Sequence, residues 1–268
     1  PIVHVHGGEV TQGAFDDAIR HTISKFARVH AVAAPEYAER LIRAGEQPNS
    51  VHVVGGLGVD ALANVQRLPR HELEAELGIR LGDPLFLVTY HPVTATAHDT
   101  KREIDSLVSA LEAFPEATVL FTLPNADPEH EIIAGALEGA ALEHDRWHLF
   151  SSLGTRNYVS LLSEAAVVVG NSSSGLLEAP SLEVPTVNIG PRQQGRLAAQ
   201  SVLSCGTNKE EIEENITRAI SRPFADSIRG MESPYGKPGA TDRIIALLES
   251  VPFDTLVEKV YYDPPEKK

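Results

Sequence analysis

The sequence has little of what marks several common classes of protein. Cys205 is the single cysteine, so no disulfide can form within the chain, as is typical of proteins from a reducing compartment. No run approaches the roughly 18 consecutive apolar residues that a membrane-spanning helix needs. The first residues, PIVHVHGGE, show no basic region ahead of an apolar one, so we expect no secretory signal. These absences predict a cytoplasmic protein with no membrane partner.

Basic residues are outnumbered by acidic ones. Lys and Arg total 23 against 37 Asp and Glu, which gives a formal net charge of −14 at pH 7. Because nucleic-acid binding depends on neutralising phosphates, we expect no nucleic-acid partner. A small anionic ligand is compatible with this charge, since helix N-termini and a few arginines can bind a diphosphate locally. There is no Cys pair and no predicted helix with a His-x-x-x-His pair, so we expect no metal site.

What the sequence does have is an alternation of β-rich and helical segments along most of its length. The predicted strands are residues 2–6, 29–33, 51–54, 85–90, 118–122, 148–151, 166–169 and 186–189. Between them apolar residues recur with helical spacing, as at Ile19, Ile23 and Phe26. This alternation predicts an α/β fold, in which parallel sheets carry helices on both faces.

A polar, helix-prone stretch at 62–83 separates two such series and predicts a domain boundary. We assign 1–65 to an N-terminal Rossmann-like domain, 66–250 to a C-terminal nucleotide-binding Rossmann-like domain, and 251–268 to a tail. The first series contains about three strands, whereas an open sheet usually has about five or six. We therefore expect the N-terminal domain to be an incomplete remnant.

The first of three polar clusters is HVHGGE, residues 4–9, in which a predicted strand runs into a glycine turn. Ligands of open α/β sheets bind beyond the carboxyl ends of the strands, and Glu9 falls at such an end. Asp16, Asp17 and Arg20 follow at the start of the next helix, where Asp16 and Arg20 share a face. A turn that needs positive φ, with a surface ion pair and helix-dipole residues, accounts for the same pattern without a function.

The second cluster is Thr89-Tyr90-His91-Pro92. Pro92 ends the predicted strand, because proline cannot donate a ladder hydrogen bond. His91 therefore falls where a ligand crevice is expected. A structural or solvated histidine is the alternative interpretation.

The third cluster lies in VVVGNSSSGLLEAPSLEVPTVNIG, residues 167–190. Here a strand leads into a serine-rich turn and then a helix that we predict to contain Glu178. Backbone N–H groups and the hydroxyls of Ser172 and Ser173 can hold a diphosphate, and a carboxylate can accept both hydroxyls of a ribose. Arg192, after the next strand, can supply a cation to the phosphates. N-capping by Ser172 or Ser173 is the alternative, but it accounts for only one of three consecutive serines.

Taken in order, HVHGGE, FDDAIRHTISKFA, YHPVT, LPNAD and GNSSSGLLEAPSLEVPTVNIGPRQQGR resemble the motifs of the UDP-N-acetylglucosamine 2-epimerases. The match is with the hydrolysing branch, which begins sialic acid and related nonulosonic acid synthesis, because His6 stands where the non-hydrolysing branch has a glutamate. The resemblance implies two doubly wound domains of the glycosyltransferase-B type with the nucleotide sugar between them. Family members also carry an earlier arginine-bearing phosphate loop and a catalytic Gly-Asp pair, so we expect this chain to lack that N-terminal part.

The resemblance also implies roles for individual residues, with Asp17 a less favoured neighbour of Asp16. The implied catalytic residues are Glu9, Asp16 and His91, and the implied substrate-binding residues are Asn125, Ser172, Ser173, Glu178 and Arg192. The implied reaction is elimination of UDP to an unsaturated 2-acetamidoglucal, followed by addition of water with inversion at C2. Its products are UDP and N-acetylmannosamine, or a 2,4-diacetamido-6-deoxy analogue. This route needs no metal and no other cofactor.

Two other functions fit parts of the pattern. A UDP-sugar glycosyltransferase would share the ribose and phosphate contacts of the third cluster but would not need Glu9 and Asp16 together. An inactive nucleotide-sugar binding module is the other alternative, because the N-terminal part is expected to be missing. We expect the acidic loop around Glu9 and the serine turn around Ser172 to face each other across one cleft. Exposed strand edges favour self-association, so we also expect a homo-oligomer.

Overall fold

The computed structural model describes residues 1–12, 14, 16–93, 99–256 and 258–263. Its strands are β1 Val3–Val5, β2 Val29–Val32, β3 Val51–Val53, β4 Leu85–Thr89, β5 Thr118–Thr122, β6 Trp147–Phe150, β7 Val167–Gly170, β8 Thr186–Ile189 and β9 Val202–Cys205. Its α-helices are α1 Asp16–Phe26, α2 Pro35–Arg43, α3 Leu57–Asn64, α4 Arg70–Leu77, α5 Thr100–Leu111, α6 His130–Glu143, α7 Gly154–Glu164, α8 Ser174–Leu177, α9 Lys209–Ala219, α10 Arg222–Ser227 and α11 Ala240–Ser250. Each of the eight predicted strands is confirmed to within one residue at either end, and β9 was not predicted.

The chain divides into two compact units. Unit 1 consists of Pro1–Thr11, Phe15–Asn64 and Ser233–Lys268, and unit 2 consists of Gln12–Ala14 and Val65–Glu232. The domains predicted from the sequence place 66–250 in the second domain and 251–268 in a tail. The two divisions therefore differ in where they put residues 233–268.

Hydrogen bonds to unit 1 explain why the C-terminal segment belongs there. The buried carboxylate of Asp60 in α3 accepts hydrogen bonds from the N–H groups of Gly239, Ala240 and Thr241, and so caps the first turn of α11. Arg243 of α11 also donates from Nε to the Val54 carbonyl oxygen, 2.7 Å away. These partners lie about 180 positions apart in sequence, beyond the reach of local pattern reading.

Unit 1 contains a three-stranded parallel sheet with the order β1-β2-β3. All four residues of β2, the central strand, are buried. The predicted apolar residues of α1 do lie on a helix. Among the described residues nothing covers them fully, since Ile19, Ile23 and Phe26 are 51%, 39% and 66% exposed. The buried residue of α1 is Ser24, whose hydroxyl contacts the ring of His4 in β1 at 2.9 Å.

Unit 2 contains a six-stranded parallel sheet with the order β6-β5-β4-β7-β8-β9. The chain builds outward from β4 through β5 to β6, then crosses to β7 and builds outward the other way. In a doubly wound sheet the crevice at such a reversal is the usual ligand site. The central strands β4, β5 and β7 are almost wholly apolar because both faces are buried, as expected for a parallel sheet.

The predicted α/β class is confirmed, since the strand pairs in both sheets are parallel. The main core packs on the unit 2 sheet, with Phe86, Val119 and Val167 fully buried in neighbouring strands. Within the described ranges, the helices are all too short or too polar to cross a membrane.

Candidate active site

The loop after β1 in unit 1 is a tight turn made by His6, Gly7 and Gly8. His6 donates its N–H to the carbonyl oxygen of Ala31 at 2.8 Å, which extends the sheet by one bond. His6 and Gly8 both have positive φ, 64° and 77°. A Cβ at Gly8 would collide with the carbonyl oxygen of Tyr37, so glycine is required there. The turn directs the side chain of Glu9 into the protein.

Glu9 is fully buried and lies among three aromatic side chains. The hydroxyls of Tyr37 and Tyr235 donate to its Oε1 at 3.0 and 3.3 Å, and the two hydroxyl oxygens are 3.1 Å apart. The His6 Nε2 atom lies 3.2 Å from Oε2 of Glu9. We call these four residues the Glu9 cluster. Both tyrosines are fully buried, whereas the His6 side chain is 30% exposed.

Asp16 and Asp17 begin α1 and differ in what they contact. Asp17 accepts a hydrogen bond from the Thr11 N–H at 2.6 Å and lies within ion-pair distance of Arg20 and His21. It thereby ties the loop to the helix. Asp16 is 52% exposed, and its contact with Arg20, at 3.1 Å, confirms that these two residues share a face. Asp16 is therefore the more accessible of the two carboxylates.

In unit 2, His91 follows β4 at the reversal of strand order and is 7% exposed. The side chain of Asn171, which follows β7, makes two hydrogen bonds to the backbone of His91. The His91 N–H donates to Asn171 Oδ1 at 2.6 Å, and Asn171 Nδ2 donates to the His91 carbonyl oxygen at 2.7 Å. This pair joins the segments that follow β4 and β7, where the ligand site of a doubly wound sheet is expected.

The His91 ring is neutral at physiological pH. Burial, and then the positive charge of Arg192, lower its pKa to about 4. The backbone N–H of Asn125 approaches Nδ1 at 3.4 Å, so Nδ1 is the acceptor and Nε2 carries the proton. The His91 ring can therefore donate one hydrogen bond from Nε2, as a phosphate or sugar oxygen would require.

Arg192 lies at the same edge of the unit 2 sheet, in the loop after β8. Its Nη1 and the Nε2 of Gln193 both donate to the carbonyl oxygen of Asn171, at 3.2 and 2.7 Å. The structure thus brings His91 and Arg192 together around Asn171, with the backbone of Asn125 beside them. The side chain of Asn125 is exposed.

The serine turn differs from its prediction in one respect. The helix expected to contain Glu178 is the four-residue α8, and Glu178 lies between α8 and a 3-10 turn at Ala179–Leu182. Pro180 explains the break, because proline lacks an N–H donor and disfavours helical backbone before it. Ser173 stands at the N-cap position of α8 without a capping hydrogen bond from its side chain.

Ser172 and Glu178 are both partly exposed, as is Ser173. The Oγ of Ser172 accepts a hydrogen bond from the Ser174 N–H at 3.4 Å. Burial raises the pKa of Glu178, and a hydrogen bond with Ser174 opposes this rise. The Ser174 hydroxyl also bonds to Tyr158, so it links the turn to α7.

Four residues of these sites were not among the predicted site residues, namely His6, Tyr37, Asn171 and Tyr235. Asn171 stands beside Ser172 in the motif, and a polar residue directly after a buried parallel strand could have been predicted to lie at the ligand site. Tyr37 and Tyr235 are 28 and 226 positions from Glu9 and carried no local signal. In the described part of the chain, no three His, Cys, Asp or Glu side chains are grouped so that they would hold a metal ion.

The family profile described as UDP-N-acetylglucosamine 2-epimerase matches residues 1–249. The chain is 35% identical over 265 residues to the GDP/UDP-N,N'-diacetylbacillosamine 2-epimerase (hydrolyzing) of Campylobacter jejuni, covering 98% of this chain and 68% of that protein. It is 32% identical over 268 residues to polysialic acid biosynthesis protein P7 of Escherichia coli, covering 99% of this chain and 68% of that protein. The chain thus spans about two thirds of the length of these relatives.

Solved structures show the same fold. The structure of UDP-GlcNAc 2-epimerase from Neisseria meningitidis bound to UDP-GlcNAc matches with a TM-score of 0.68 at 20% identity. The match covers 94% of this chain and 70% of that one. The fold is therefore that of Rossmann-like domains of the glycosyltransferase-B type, as predicted.

Proposed function

Because the chain belongs to the UDP-N-acetylglucosamine 2-epimerase family, we propose that it acts in the hydrolysing epimerisation of a UDP-activated 2-acetamido sugar. The substrate is UDP-N-acetylglucosamine or its 2,4-diacetamido-6-deoxy analogue, and the products are UDP and the free sugar with inverted C2. The activity for which the Campylobacter jejuni relative is named supports the analogue, and the bound ligand of the Neisseria meningitidis structure supports a UDP-sugar.

The chemistry explains which groups are needed. The C2 hydrogen is not next to a carbonyl, so its removal must be coupled to departure of UDP from C1. A base takes the C2 proton, the C–H electron pair forms the C1–C2 double bond, and the C1–O pair leaves with UDP. Water then adds its oxygen to C1, and a proton reaches C2 from the opposite face. The protein must supply proton-transfer groups and stabilise the leaving diphosphate.

The proposal depends on one observation. His91 and Arg192 lie together around Asn171, at the point where the strand order of the unit 2 sheet reverses. Neutral His91 offers an Nε2–H donor, and Arg192 offers a cation beside it for the diphosphate. Ser172 and Ser173 add hydroxyls, Asn125 contributes on the nucleotide side, and Glu178 binds the ribose. In unit 1, the Glu9 cluster and Asp16 supply the proton-transfer groups.

The test is release of UDP from either sugar nucleotide without any acceptor, in deuterated water. An active hydrolysing epimerase should release UDP and a free sugar that carries deuterium at C2, detected by NMR. Release that requires an added acceptor sugar would instead identify a glycosyltransferase. UDP binding in calorimetry without turnover would identify a binding module, and absence of both would contradict the proposal.

A further inference from the structure

Glu9 is badly placed to touch a substrate directly. Its carboxylate is fully buried, with Oε1 held by two tyrosine hydroxyls and Oε2 next to the His6 ring. A group that takes a proton from carbon must come within hydrogen-bond reach of that proton. The buried carboxylate can therefore act on a ligand only through a neighbour that reaches the surface.

His6 is that neighbour, because it is the one member of the Glu9 cluster whose side chain is partly exposed. Its Nε2 lies 3.2 Å from the Glu9 carboxylate, and a lone pair facing a carboxylate at this distance would be repelled. With the proton on Nε2, facing the carboxylate, the basic lone pair of the ring is on Nδ1. A carboxylate that orients an imidazole also balances the charge created when the ring accepts a proton.

The surroundings fix the backbone of His6 and place its ring beside that of Tyr235. Its backbone has a φ of 64°, a conformation that non-glycine residues seldom adopt, and its N–H is bonded to Ala31 at 2.8 Å. The ring lies nearly parallel to that of Tyr235, with an angle of 10° between the planes. Tyr37 and Tyr235 donate to Oε1 of Glu9, and the His6 Nε2 atom lies 3.2 Å from Oε2.

We propose that His6 is the proton-transfer group of this cluster and that Glu9 is a positioning residue acting through it. This inference rests on the function proposed above. In the elimination step, Nδ1 of His6 accepts the C2 proton of the sugar as the C–H pair forms the double bond and UDP leaves. Glu9 keeps the proton on Nε2, and the two tyrosines keep Glu9 in place.

The test uses His6→Gly in the full chain, because glycine tolerates the positive φ and leaves room for a free imidazole. We expect kcat for UDP release to fall by about 100-fold or more, with UDP affinity within about twofold of wild type. Added imidazole should restore part of the lost rate. The matched control is His52→Ala in β3 of the same unit, which should keep its rate and show no response to imidazole. An unchanged kcat in His6→Gly, or a loss that imidazole does not relieve, would overturn the proposal.

A second measurement separates this inference from the proposed function. If the wild-type chain releases no UDP from either sugar, the proposed function fails, and the His6 tautomer is then read from ¹⁵N NMR. A proton on Nε2 that moves or is lost in Glu9→Gln supports the pairing of His6 with Glu9. A proton on Nδ1 in the wild type, or a tautomer that Glu9→Gln does not alter, overturns it.

Discussion

At the scale of single residues, the two neighbouring carboxylates of α1 show that side chains of the same type can have different roles because they make different contacts. Asp17 is engaged by the Thr11 N–H, Arg20 and His21, whereas Asp16 contacts Arg20 and is half exposed. An accessible carboxylate suits proton transfer, and an engaged one suits a structural role.

We therefore predict different defects for Asp16→Asn and Asp17→Asn. The Asp16 variant should lose about 100-fold or more in kcat for UDP release while its thermal unfolding stays near that of wild type. The Asp17 variant should unfold at lower temperature, because the buried Thr11 N–H loses its charged acceptor. Glu36→Gln on the exposed start of α2 is the control for loss of one negative charge. Equal effects of the two substitutions on kcat and stability would contradict this distinction.

Asn171 is the other residue with a distinct expected role. Its side-chain amide makes both hydrogen bonds to the backbone of His91. Asn171→Ala should lower the free energy of unfolding by about 1–3 kcal/mol, because it leaves buried polar groups of His91 unsatisfied. It should also weaken UDP binding, since the His91 ring loses its fixed position. Chemical denaturation and calorimetry measure the two effects, and Asn215→Ala on the surface of α9 should change neither.

At the scale of elements, the joining of α11 to α3 depends on one carboxylate. Burial by itself would raise the pKa of Asp60, but hydrogen bonds from Thr241, Gly239 and Ala240 hold the pKa at about 2. Its folded-state pKa is thus below the ordinary value. The stability that Asp60 contributes is present above about pH 4 and is lost as the pH falls toward 2.

We predict that Asp60→Ala loosens α11 from unit 1. The substitution removes the acceptor of three N–H groups at the start of α11 and should cost about 2 kcal/mol at neutral pH. Hydrogen exchange of the α11 amides should speed up more than that of β4 in unit 2. Asp242→Ala, at an exposed position of the same helix, should cost less than about 1 kcal/mol. Unchanged α11 exchange in Asp60→Ala would show that other contacts hold this helix.

At the scale of the whole molecule, each unit contains a buried histidine that stays neutral. Burial, followed by the charges of His30 and Arg20, lowers the pKa of His4 in unit 1 to about 4. Burial and the charge of Arg192 have the same effect on His91 in unit 2. In the unfolded chain both histidines regain a pKa of about 6.5.

The sign of the resulting pH dependence follows from these shifts. Below pH 6.5 the unfolded chain takes up protons that the folded protein does not, so stability is full above this pH and falls toward pH 4. Each histidine contributes a slope of up to about 1.4 kcal/mol per pH unit. Urea denaturation at several pH values should show this loss, and His91→Asn should make the dependence shallower for unit 2. A free energy of unfolding that does not change between pH 7 and 4 would contradict the assignment.

Short-range patterns in the sequence were sufficient for eight of the nine strands in the described residues, and for grouping the site residues that follow the strands of unit 2. The runs at 85–90, 118–122 and 166–169 are apolar because both faces of a parallel strand are buried, and this is a local property. Residues that follow parallel strands meet at one edge of a sheet, so His91 and Arg192 could be grouped without coordinates. The break of the helix before Pro180 was also readable in principle from proline chemistry.

The contacts that decide the chemistry of unit 1 were settled only by tertiary structure. Burial of Glu9 depends on Tyr235, 226 positions away, which comes beside it because the C-terminal segment returns to unit 1. The exposure of the apolar stripe on α1 depends in the same way on what packs against it. The periodicity of apolar residues indicates which residues share a face of a helix or strand. Whether that face is buried, and which side chains it contacts, depends on the path of the whole chain, so a short stretch of sequence cannot determine it.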